Sequence, residues 1–207
     1  LATSWEYNDD RTELTLELAE GVTFHSGRPF TADDVIFTLE QVKDPKNASQ
    51  LAKVAQNIVS VEATSDTEVV IGLASPSDSL FDLFDLTPIV DLDTFAGLAE
   101  GKEIIGTGPF TWESWTPGAS IDLEANDDYW GQDGPYLDAV EVSIISDATA
   151  IQSALKAGAA DVAIGMPQSD VALLSGNPEY VLADAGGVFY PFGFDVTQAP
   201  FDTPKAR

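Results

Sequence analysis

Residues Phe24–Val42 read FHSGRPFTADDVIFTLEQV, and the reading of this stretch decides the fold. It holds the only histidine of the chain, His25, next to Ser26, and a pair of aspartates, Asp33 and Asp34. One reading is a catalytic pair; the other is a turn that feeds a helix. A general base needs its partner within hydrogen-bond reach. Adjacent residues of an extended chain point to opposite faces, so Ser26 is badly placed for His25. No G-x-S-x-G elbow occurs elsewhere in the chain. The second reading gives nearly every residue a task. Ser26-Gly27 makes a turn, and Arg28 before Pro29 is held extended. Thr31 and Asp34 have the spacing of a capping box, with Asp in place of the usual Glu. Phe30 and Val35 flank the cap as a hydrophobic staple. Asp33 and Asp34 lie in the first turn, where the helix dipole favours negative charge. Val35, Leu39 and Val42 then form a core stripe.

Upstream, Thr12–Leu18 alternates Leu14, Leu16 and Leu18 with polar neighbours and predicts a half-buried strand. Downstream, Asn57–Leu73 predicts a β-hairpin, with Val59, Val61 and Ala63 on one face, then Val69, Ile71 and Leu73 after a Ser-Asp-Thr break. Asp78–Leu86 places Leu80, Phe81 and Phe84 at helical spacing. From Gly106 the texture changes to strands: PFTWESW, SIDLEAN and AVEVSII. Asp147–Gly158 predicts a helix with Ile151, Ala154 and Leu155 on one stripe and Gly158 at its C-terminal cap. DVAIG (Asp161–Gly165) predicts a short buried strand, SDVALLSG (Ser169–Gly176) a short helix, and VFYPFGFDV (Val188–Val196) a last strand. This order predicts an α+β fold, mixed α/β, with some parallel pairing. Glu103–Phe110, EIIGTGPF, is the best boundary, dividing residues 1–105 from residues 106–207. The final FDTPKAR offers Thr203 as an N-cap and Pro204 at a first helical position. A helix start so close to Arg207 predicts that the polypeptide continues.

Composition narrows the function classes. Apolar residues make up 44% of the 207, enough for a core. Nine Lys and Arg stand against 35 Asp and Glu, a net charge of −26. That balance argues against nucleic acid, whose phosphates need cations, and against an anionic membrane surface. Residues 1–105 carry 6 basic and 20 acidic side chains, and residues 106–207 carry 3 and 15. Acid spread this evenly reads as a solvated surface, with a cationic ligand as the alternative. The absence of cysteine removes disulfides, thiolate nucleophiles and Cys-ligated metals. No apolar run approaches the ~20 residues of a membrane span.

GTGPF (Gly106–Phe110) lacks the later Gly of a dinucleotide fingerprint and the Lys of a P-loop. It reads as a crossing point where glycine permits close backbone approach. ANDDYWGQDGP (Ala125–Pro135) is rich in turn formers, with Tyr129 and Trp130 able to pin the loop. Asp127, Asp128 and Asp133 could hold calcium, but their spacing is not that of an EF-hand; DLDTF (Asp91–Phe95) is no better. With 35 acids, pairs suited to glycoside hydrolysis are inevitable and decide nothing. No catalytic residue, metal or cofactor is expected. In VFYPFGF, Tyr190, Phe192 and Phe194 share one face of the strand and Phe189 takes the other. That face is either core or an aromatic wall of a ligand cleft.

Five stretches, in order, resemble the peptide/nickel-type (oligopeptide- and dipeptide-binding) solute-binding proteins of ABC importers. They are FHSGRPFTADDVIFTLE, GTGPF, LEANDDYWG (Leu123–Gly131), LKAGAAD (Leu155–Asp161) and FDVTQAPFDTPKAR (Phe194–Arg207). The chain departs from that pattern at Asp195, where members often carry Asn, and at Ala206, where they carry Val. The resemblance implies a periplasmic-binding-protein-like lobe with an inserted smaller α+β subdomain at 1–105. Residues 106–207 would be part of the main first lobe, with the second lobe beyond this chain. It further implies extracytoplasmic capture of a peptide or small solute between lobes that close by a hinge, and delivery to a membrane permease. The protein would be monomeric, non-enzymatic, and periplasmic or lipid-anchored at the cell surface. Tyr190, Phe192, Phe194 and Asp195 would border the cleft. A secreted carboxylate hydrolase and a surface adhesion module are the alternatives.

Overall fold

The computed structural model describes residues 1–98, 101 and 104–183. The chain divides into two compact units, Leu1–Ile144 and Ile145–Arg207.

The first unit opens with strands β1 (Ala2–Tyr7) and β2 (Glu13–Leu18), then helix α1 (Ala32–Lys43), a 3-10 turn (Pro45–Asn47) and helix α2 (Ala52–Ala55). Strands β3 (Ile58–Ser65) and β4 (Glu68–Leu73) follow, then helices α3 (Leu80–Asp85) and α4 (Phe95–Leu98). Strands β5 (Phe110–Thr116), β6 (Ser120–Ala125) and β7 (Ala139–Ser143) complete it. One sheet has the order β1-β2-β4-β3 and the other β5-β6-β7. Every pairing is antiparallel, so the expected parallel pairing does not occur among the described residues. α1 lies in the connection between β2 and β4, but β3 returns first as a hairpin partner. β4 therefore enters beside β2 running the opposite way.

Period-2 patterning builds the first sheet. Leu14, Leu16 and Leu18 of β2 and Val69, Ile71 and Leu73 of β4 are buried together with Val35 and Leu39 of α1. Phe24 and Phe30, from the turn before α1, join the same core, their rings edge to face at 6.1 Å. The Asp66 carbonyl in the β3–β4 turn accepts from Ala32 N–H at 2.8 Å. One orphan donor of the first helical turn is thereby satisfied by the sheet. Lys43 Nζ donates to the Ile58 carbonyl at 2.9 Å and ties the other end of α1 to β3.

Three local expectations need correction. Val59 is exposed while Ile58 is buried, because a register shift between Ile58 and Ser60 breaks the alternation expected over Val59, Val61 and Ala63. The close approach at that shift needs Gly72, where a Cβ would collide with the Ser60 hydroxyl. In α3 the buried pair is Leu80 and Leu83. Phe81 turns outward and packs on Trp5 at 5.5 Å and Tyr7 at 6.4 Å. β1 was not expected at all: its alternation is Ala, Ser, Glu against Thr, Trp, Tyr, with no aliphatic face.

Glu17 and Glu68 are direct partners across β2 and β4. The hydrogen bond with Glu68, then burial, then like-charge repulsion raise the Glu17 carboxyl above its ordinary value. A raised folded value means that the protonated form stabilises the fold, a contribution lost as pH rises through that value. At neutral pH the pair is therefore unfavourable. Glu17→Gln is expected to raise the thermal midpoint at pH 7, and a fall would show that the pair is not repulsive.

The second sheet is a meander. Gly118, at φ +72, makes the turn between β5 and β6. The second unit contains α5 (Ala148–Lys156) and α6 (Gln168–Leu174), both as expected. Asp147 caps α5 by accepting from Ala150 N–H at 2.8 Å. Ala157 is the C-cap and Gly158 follows it at φ +68. The strand expected at Asp161–Gly165 is not formed: Val162 and Ile164 are 75% and 87% exposed. Among the described residues no neighbouring strand offers its backbone a ladder, and an apolar run alone does not make one. The strand expected at Val188–Val196 and the helix start at Thr203 lie outside the described residues.

Candidate functional site

The turn before α1 ends in a buried ion network. Arg28 is pinned in extended backbone ahead of Pro29, so its side chain reaches back across the first turn of α1. Its guanidinium contacts the Asp34 carboxylate, and its Nε donates to Asp91 Oδ1 at 2.8 Å. The same head lies over the Phe24 ring at 4.8 Å. Asp34 and Asp91 are 0% and 1% exposed. Asp34 also accepts from Thr31 N–H at 3.0 Å and Leu92 N–H at 3.4 Å. Asp91 accepts from the Ser26 hydroxyl at 2.9 Å and Asp93 N–H at 3.0 Å. Each carboxylate thus has a cation and further donors, the condition under which buried charge is tolerated. Burial would pull the Arg28 guanidinium down, but the Asp34 and Asp91 carboxylates outweigh it and raise it. All four carboxylate oxygens of the network accept from Arg28 or a neighbouring donor. It corrects the sequence reading of Asp91, which was weighed only as a weak calcium ligand. The structure assigns it to Arg28.

Burial would also push the Asp91 carboxyl up. The Asp93 amide, the Ser26 hydroxyl and Arg28 together hold it below the usual carboxylate range. A depressed folded value contributes stability above the unfolded value of about 3.9, lost as pH falls through the folded one. Urea unfolding of the wild type is expected to show stability falling from about pH 4 downward. Asp91→Asn, weaker at pH 7, is expected to show a shallower fall over the same window. An unchanged slope would mean that Asp91 carries none of it.

A second cluster joins three motifs. His25 N–H donates to the Gly106 carbonyl at 2.8 Å. The imidazole then takes both sides of the GTGPF segment: Gly106 N–H donates to Nδ1 at 3.3 Å, and Nε2 meets the Gly108 carbonyl at 3.0 Å. Asn126 Nδ2 donates to the same Gly108 carbonyl at 3.1 Å, and Trp130 Nε1 donates to the Thr107 carbonyl at 2.9 Å. Asn126 N–H closes the set on the Pro109 carbonyl at 2.9 Å. Side chains from FHSGRPF and from ANDDYWG therefore satisfy the carbonyls of Thr107 and Gly108. His25 is a turn residue, as expected. GTGPF is held by these side chains, but its glycines are not what allows it: a Cβ at Gly106 would meet His25 only at 3.7 Å, and one at Gly108 would meet nothing within 4 Å. Ser26 is committed to Asp91, and among the described residues no carboxylate pairs with the imidazole.

An apolar opening of about 450 Å³ in the first unit is lined by Leu1, Trp5, Leu16, Phe30, Phe81 and Ile89 among others. No group of three or more His, Asp or Glu with metal-binding geometry occurs among the described residues. Tyr190, Phe192, Phe194 and Asp195, the expected cleft residues, lie outside the described residues.

The family model for bacterial extracellular solute-binding proteins, family 5, matches residues 1–207. The chain belongs to this family. A family 5 relative, the glutathione-binding protein GsiB of Shigella boydii, is 30% identical over the whole of this chain, which spans 41% of the relative. Among solved structures, the binding protein MoaA of Agrobacterium tumefaciens R10, in complex with mannopinic acid, is 30% identical with a TM-score of 0.81. That match covers 98% of this chain and 42% of MoaA. The oligopeptide-binding protein AppA of Bacillus subtilis, in complex with a nonapeptide, is 32% identical with a TM-score of 0.75, covering 86% of this chain and 37% of AppA. The chain thus spans less than half the length of these family 5 relatives. Its α+β architecture is part of their two-lobed periplasmic-binding-protein fold, as the motif order implied.

Proposed function

We propose that the full-length protein captures a small solute outside the cytoplasm and passes it to the permease of an ABC importer, breaking no bond. The observation that carries this reading is the family match over residues 1–207. Peptides and peptide-like molecules are the first ligand class, because similar proteins bind glutathione and a nonapeptide. Tyr190, Phe192, Phe194 and Asp195 border the cleft in this reading. Residues 1–105 form the smaller subdomain, remote from most ligand contacts, and residues 106–207 belong to the hinge-bearing lobe. The protein works as a monomer, periplasmic or held at the cell surface by a lipid anchor.

Binding to the native state alone raises thermal stability, by about 2.7 kcal/mol at a ligand concentration 100 times Kd. A thermal-shift screen of the full-length protein is expected to show a saturable rise with glutathione, dipeptides or longer peptides. Mannopinic acid and nickel–histidine extend the panel. Stability unchanged across the whole panel, or turnover of any member, would overturn the proposal.

A further inference from the structure

Two hydrogen bonds on one imidazole fix its protonation state. A backbone N–H only donates, so Nδ1 of His25 is the acceptor for Gly106. A carbonyl only accepts, so Nε2 carries the proton that meets Gly108. These two contacts match the neutral Nε2–H tautomer of His25. A second proton has only Nδ1 to occupy, and there it would face the Gly106 N–H, donor against donor. The bond from Nε2 to the Gly108 carbonyl would instead gain from the charge. The two ends of the ring therefore respond to a proton in opposite ways.

We propose that His25 is a proton-operated latch on the segment that leads into β5. Protonation frees the Gly106 amide while the ring keeps its hold on Gly108. Histidine is the side chain whose ordinary titration falls between about pH 5 and 8. Charged groups adjoin the turn of His25 and the residues that the ring contacts. From its own turn, Arg28 is committed to Asp34 and Asp91. Asp91 reaches this turn through Ser26. From the β6–β7 connection, Asp127 and Asp128 follow Asn126, which shares the Gly108 carbonyl with the ring. Lys102 and Glu103 precede the latched segment and lie outside the described residues. Among the described residues the imidazole makes no ion pair. The latch therefore rests on the two backbone contacts.

The test is nuclear magnetic resonance on ¹⁵N-labelled full-length protein between pH 8 and 5. His25 ring nitrogens are assigned in the wild type through the His25 ring protons and their contacts to the His25 backbone. The expected ring signature at pH 8 is the Nε2–H tautomer. The Gly106 amide resonance is expected to move with the ring's own midpoint. Its solvent exchange, corrected for intrinsic pH dependence, should quicken several-fold once the ring is charged. In His25→Asn, whose Oδ1 is a non-titrating acceptor, the Gly106 amide is expected to stay fixed. An Nδ1–H tautomer at pH 8, or a Gly106 amide indifferent to the ring's titration, would overturn the latch. Both wild-type readings decide the matter even if the variant does not fold.

Discussion

Arg28→Met in the full-length protein is expected to lower the free energy of unfolding by about 3–5 kcal/mol, the usual consequence of removing one partner from a buried ion pair. Methionine keeps an apolar stem over Phe24, so the loss reports the charge rather than the packing. The damage comes from what stays behind. Asp34 and Asp91, at 0% and 1% exposure, would be two carboxylates out of water without a cation. Arg28→Lys should recover only part of the loss, since one ammonium cannot present the guanidinium's fork to two carboxylates. Asp93→Asn, at the solvent-facing edge of the network with its side chain 62% exposed, should stay within about 0.5 kcal/mol of wild type. Urea midpoints at constant slope give the comparison. A loss below about 1 kcal/mol for Arg28→Met would mean that the carboxylates find water or protons easily, and that the network is not a structural centre.

The other large effect belongs to the sheet. Leu14 and Ile71 are direct partners across β2 and β4 and both are 0% exposed. Each should cost about 2–5 kcal/mol on truncation to Ala, from lost transfer energy plus the cavity left behind. Val59→Ala, at the register shift in β3, should change stability by less than about 0.5 kcal/mol. Equal losses at Val59 and Ile71 would mean that β3 buries the face read from simple alternation.

Sequence reading reached the elements whose causes are local. The cap at Thr31, the stripe of Val35 and Leu39, and the alternation of β2 and β4 depend on residues within a few positions of one another. They formed as expected. It failed where a distant partner decides. β1 has no apolar period and exists because β2 offers it an edge. The Asp161–Gly165 run has the composition of a strand and no ladder among the described residues. The pairing of Arg28 with Asp91 joins residues 63 positions apart and leaves no periodic trace, so DLDTF reads from sequence only as a weak calcium site. The turn around His25 is local, but its grip on Gly106 and Gly108 joins residues 81 and 83 positions apart and leaves no local trace. Tyr190, Phe192 and Phe194, expected to face a ligand, lie outside the described residues.

The order β1-β2-β4-β3 has a consequence for how the polypeptide comes into being. Synthesis delivers β1 and β2 before β3 and β4, and two strands by themselves are marginal in water. The inner neighbour of β2 arrives only with Glu68–Leu73, after residues 19–67 have been made, so the sheet waits on closure of a long chain segment. Asp91 comes later still. Until it emerges from the ribosome, Arg28 has Asp34 as its sole buried partner, and the turn that carries His25 lacks its brace.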